Sequence, residues 1–106
     1  MISIPKSPSY RNPRLLSLAK ECPRCMSCGN FNAGDVVAAH SNSQRHGKGM
    51  SCKAHDLTCF VCFGCHSLID GRTGGLSRDT RERMFLEAVY ETTLWLLQEG
   101  LLKVSA

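Results

Sequence analysis

The amino-acid sequence predicts a small α+β domain stapled by zinc, with a strand, loop, strand and helix at its centre, a short helix before them and a long helix after. Three observations predict it. Cysteines recur at Cys-x-x-Cys spacing, at Cys25/Cys28 and Cys62/Cys65, as zinc ligand pairs do. Two short runs rich in β-branched residues flank a long polar stretch, the pattern of two strands and their connection. The last part of the chain keeps apolar residues at helical spacing between a start signal and a stop signal. Size makes a staple necessary. The chain has 106 residues, and only 7% are aromatic, so the side chains that dominate core burial are few.

Seven cysteines can serve as disulfides in an oxidising compartment or as metal ligands in a reducing one. The opening "MISIPKSPSYRNPR" is broken by prolines and lacks the apolar run of a secretory signal, so a cytoplasmic location with reduced thiols is expected. No apolar run is long enough to span a membrane. The formal net charge of +4 suits a polyanionic partner, and equally a solvated basic surface.

In chain order, residues 1–11 read as a flexible arm, because prolines, serines and charges leave little apolar surface to bury. Residues 12–106 read as one domain. Asn12 as N-cap and Pro13 at the first helical position open a short helix, expected over 13–20. The segment "ECPRCMSCGN" crowds Cys22, Cys25 and Cys28 into a turn ending at Gly29, the form of a zinc knuckle. "DVVAAH" then reads as a strand ending at His40. "SNSQRHGKGMSCKAH" is a long polar loop carrying Arg45, Lys48 and Lys53. "DLTCFV" is the second strand and runs into "CFGCHSLID", a helix beginning near Phe63 and ended by Gly71. In "DTRERMFLEAVYETTLWLLQEG", Asp79 is the expected N-cap and Gly100 the stop. Phe85, Ala88, Val89, Thr92, Trp95 and Leu96 form its core face, which makes Trp95 a packing residue rather than a stacking platform.

A structural zinc takes four ligands, usually two short-spaced pairs brought together by the fold. Cys25, Cys28, Cys62 and Cys65 fit that description, and Gly29 favours Cys25/Cys28 as the first pair; Cys22 is an alternative ligand that spacing alone leaves open. Cys52 and Cys59 are expected in the core, where free cysteine is common. "CFGCH" also matches the c-type haem attachment pattern, but the competing cysteine pair and the missing export signal favour zinc. His66 lies about 100° round the helix from Cys65, outside the same tetrahedron. With Asp70 one turn on, it makes a nitrogen and oxygen pair suited to an open divalent site. An open site of this kind suits phosphoryl chemistry, for which His40 is the candidate base.

Strand, loop, strand and helix, with "VVAAHSN", "KAHD", "CFGCHSLIDGRT" and "WLLQEGLLKV" in this order, resembles the HNH, or ββα-metal, nuclease superfamily, and most closely the YbcO-like nucleases of phages and prophages. The resemblance covers about residues 12–104. It implies a treble-clef-like ββα-metal core and a cytoplasmic endonuclease that hydrolyses DNA phosphodiester bonds with low sequence specificity. It implies His40 as the base that deprotonates the attacking water, and His66 and Asp70 as ligands of a catalytic Mg²⁺ or Mn²⁺, with Ni²⁺ or Zn²⁺ as further options. Cys62 and Cys65, with the early cysteines, match the knuckles of the zinc-bearing members. Arg45, Lys48, Lys53 and Arg72 would then meet the DNA phosphate backbone. Two positions depart from the pattern: Ala39 stands where many members carry a metal ligand, and Asp56 is nearest to the asparagine that orients the base.

Overall fold

A computed structural model describes residues 12–41 and 58–103. The expected arm over 1–11, and with it Arg45, Lys48, Cys52, Lys53 and Asp56 of the connecting loop, lie outside the described residues. Within them the fold is α+β: two antiparallel strands and three α-helices.

Helix α1 spans Pro13–Ser17, and Asn12 caps it by accepting from the Leu15 N–H at 3.3 Å. The single helix expected over 13–20 is instead five α-helical residues followed by a 3-10 turn, Leu18–Glu21. Pro23 explains the change. It disfavours helical backbone at Cys22, which is extended at φ −68° and ψ 128°, so the last turn tightens as it stops. That turn buries Leu18 and Ala19.

Strand β1, Val36–His40, pairs with β2, Thr58–Cys62, in a register that sets Val36 opposite Cys62 and His40 opposite Thr58. β2 does not alternate. Thr58, Cys59, Phe60 and Val61 are all buried, because the strand is covered on more than one side. The second edge of β2 is claimed at Phe60: its N–H donates to Thr92 Oγ1 at 3.1 Å, and its carbonyl accepts from the Met26 N–H at 2.9 Å. One residue thereby ties the hairpin to the last helix and to the first cysteine turn, leaving no open backbone there.

Helix α2, Phe63–Ile69, starts directly from β2 with Cys62 as its N-cap. Gly71, at φ +78°, ends it in a double closure: Arg72 N–H to Ser67 O at 2.9 Å and Gly71 N–H to Leu68 O at 3.2 Å. Helix α3 spans Arg78–Gln98 and packs against β2. Its N-cap is Ser77 rather than the expected Asp79. The Ser77 hydroxyl reaches the Thr80 N–H at 3.2 Å, and Asp79 sits inside the first turn, where its charge suits the helix dipole. Phe85, Ala88, Thr92 and Leu96 are buried as the periodicity predicts, with Val89 and Trp95 half-buried beside them. Trp95 meets Phe60 edge-to-face, ring centroids 6.2 Å apart, so it packs. No helix among the described residues is long and apolar enough to cross a membrane.

Candidate metal centre

The first cysteine turn is a small backbone loop. Arg24 and Phe31 bridge its base, the Cys25 N–H donates to Asn30 O at 2.8 Å, and the Gly29 N–H donates to Cys25 O at 3.0 Å. Gly29 adopts φ +81°, a left-handed conformation that side chains strain to reach. The turn aims backbone donors at sulfur: the N–H groups of Ser27 and Cys28 each lie 3.4 Å from Cys25 Sγ. The second pair is built on the junction of β2 and α2, where Cys62 Sγ accepts from the Cys65 N–H at 3.5 Å.

These two pieces bring the sulfurs of Cys25, Cys28, Cys62 and Cys65 within 4.8 Å of one another. Cys28 Sγ and Cys62 Sγ are 3.9 Å apart, far beyond a disulfide bond of about 2.05 Å. A tetrahedron with metal–sulfur bonds of about 2.3 Å has edges of about 3.8 Å. The four cysteines therefore can hold a metal such as zinc. Four sulfurs would complete such a shell, leaving no position for water or substrate, so a metal held there would act as a crosslink.

Protonation follows from the same geometry. Burial raises the Cys25 thiol, but the backbone N–H groups of Cys28, Cys62 and Ser27 outweigh it and bring it down to about 7. Cys65 moves the other way, raised by burial and by hydrogen bonds with its neighbouring thiols. A divalent cation supplies the charge that ionises such a set.

The remaining described cysteines stand apart. Cys22, the alternative ligand, lies outside the four-sulfur group; its Sγ donates to Arg24 O at 3.1 Å, and burial raises its thiol. Cys59 is fully buried in β2, and burial pushes it up to about 12.

His66 and Asp70 meet on one face of α2, Nε2 to Oδ2 at 3.1 Å. Arg72, mostly exposed, reaches the same oxygen at 3.4 Å. Among the described residues, no third histidine, cysteine or acidic side chain gathers with them as the sulfurs do. His40 ends β1, with Nδ1 3.5 Å from Thr58 Oγ1. Cys59 faces Ala39 across the hairpin. Ala39 is fully buried. Phe31 and Phe63 are 82% and 58% exposed beside the two cysteine turns.

Comparison of the chain with family models, with curated proteins and with solved structures finds no match.

Proposed function

We propose that the chain is a metal-dependent endonuclease of the HNH type, acting on DNA phosphodiester bonds with low sequence specificity, and that its four-cysteine centre holds a structural zinc. The observation that carries this reading is one arrangement: a two-stranded hairpin whose first strand ends on His40, followed by a helix with His66 and Asp70 on one face. Neighbouring vertices of an octahedron with bonds of about 2.1 Å are about 3.0 Å apart, close to the 3.1 Å between Nε2 and Oδ2. Those two atoms would hold a divalent cation such as Mg²⁺ or Mn²⁺. Its chemistry there is stabilisation of negative charge on the phosphate and the leaving oxygen. His40 takes the proton from the attacking water, and Arg72 turns from Asp70 to a phosphate oxygen. Arg45, Lys48 and Lys53 add phosphate contacts, and Asp56 orients His40.

The test is plasmid nicking by zinc-loaded protein in Mg²⁺, Mn²⁺ and Ni²⁺. Nicking that needs the added metal and disappears in His66→Ala and Asp70→Asn supports the assignment. A second reading, a zinc-stapled nucleic-acid-binding module without catalysis, is favoured by the buried Ala39, which brings no ligand to the site. It predicts salt-dependent DNA binding with no cleavage of any DNA form.

A further inference from the structure

We propose that Arg81 of α3 joins Arg72 in holding a phosphate of the DNA backbone at the end of α2, beside His66 and Asp70. The inference rests on the DNA reading of this site, whether or not it cleaves. It starts from Gly71, which ends α2 at φ +78°. A Cβ placed there would lie 2.6 Å from Arg81 Nη1 and 3.1 Å from its Cζ, closer than packed atoms approach. The guanidinium therefore rests on the bare glycine, and α3 in this way brings a cation to the turn that carries Asp70 and Arg72.

Arg81 is half-buried, yet among the described residues its guanidinium has no ion pair and no hydrogen bond. Covering a charged group costs free energy, and arginine is seldom covered unless it is paired. Its own helix offers no partner: Ser77, Arg78, Met84 and Phe85 stand one turn either side of it. Nor is Asp70 its partner, since Asp70 Oδ2 meets His66 at 3.1 Å and Arg72 at 3.4 Å.

A missing anion resolves this arrangement. A guanidinium donates parallel N–H bonds to phosphate oxygens, and the Arg72 side chain, 70% exposed, can swing to the same anion without unpacking. Helix α2 is seven residues long and its last carbonyls accept from the Gly71 and Arg72 N–H groups, so its dipole opposes an anion only weakly. The occupant is a DNA phosphate rather than a free ion because the corner adjoins the pair proposed to hold the catalytic cation, on a chain of net charge +4.

The experiment is binding of a fluorescein-labelled DNA duplex by the full, zinc-loaded chain, followed by anisotropy over a salt series with no added divalent cation. Loss of one phosphate contact should flatten the slope of log affinity against log salt by about 0.9. Arg81→Gln keeps much of the side chain over Gly71 and removes the charge, so it should flatten the slope by that amount and weaken binding several-fold, equally on unrelated sequences. Arg81→Lys should retain the slope. Arg83→Gln is the control: it removes the same charge from an exposed position about 200° round the same helix, and should leave the slope unchanged. A wild-type slope in Arg81→Gln, or an equal loss in Arg83→Gln, overturns the proposal and leaves the nuclease reading standing. A loss confined to Arg81→Gln in a protein that never nicks supports the proposal and removes the nuclease reading. A wild type that binds no DNA overturns both. Displacement of the DNA by millimolar inorganic phosphate at constant ionic strength would assign the corner to a free phosphate and overturn the proposal.

Discussion

Cys25 and Cys65 hold opposite proton preferences within one sulfur cluster. Backbone donors lower Cys25 to about 7, while burial and the neighbouring thiols raise Cys65. In the metal-free protein, a thiol lowered on folding contributes stability above its ordinary value of 9.0, and that contribution is lost as pH falls through about 7. With zinc bound, all four sulfurs are thiolates, so protons compete with the metal and binding releases them. Zinc affinity measured against a chromophoric chelator should therefore fall steadily on acidification below neutral pH. An affinity indifferent to pH would contradict thiolate ligation. Substitution sorts the cysteines further. Cys28→Ser and Cys65→Ser should lose tightly bound zinc by elemental analysis, whereas Cys22→Ser and Cys59→Ala should keep it. Cys59→Ala should lower stability by about 1 kcal/mol through lost packing alone.

Phe60 and Thr92 show what joins the elements. The buried Phe60 N–H has the Thr92 hydroxyl as its acceptor, so Thr92→Val keeps the shape and removes the partner. The expected loss is about 1–3 kcal/mol in denaturant unfolding, with Thr92→Ser close to wild type. A neutral Thr92→Val would show that this bond does not hold α3 to the hairpin. Both strands and the last two helices were legible in the sequence because β-branched runs, helical spacing and glycine stops act locally. Three features were not. The α1 helix tightens because of a proline that acts on its predecessor, and the α3 cap fell to Ser77 because a hydroxyl two residues earlier reaches Thr80. β2 is buried on both faces from Thr58 to Val61, since α3, which covers it, comes from the other end of the chain.

The whole molecule brings two distant cysteine pairs together beside a core with few aromatic side chains. Because metal binding of this kind is folding free energy, chelating the zinc should abolish the cooperative thermal transition, and restoring zinc should bring it back. A chain that melts at the same temperature without metal would reduce the centre to a surface feature. Spacing pointed to Cys25, Cys28, Cys62 and Cys65, but the separation of Cys22 from them became visible only once the turn was built. The meeting of His66 with Asp70 was readable from helical periodicity. The engagement of Arg72 with the same carboxylate was not, because it depends on how the chain turns at Gly71.

The most direct measurement is the plasmid-nicking rate of zinc-loaded wild type against His40→Ala at saturating Mn²⁺, with DNA binding and zinc content measured on both. Loss of a general base should lower the rate by about 10²–10⁴-fold while binding and zinc stay unchanged. Nicking that persists in His40→Ala, or is absent from the wild type, would contradict the account.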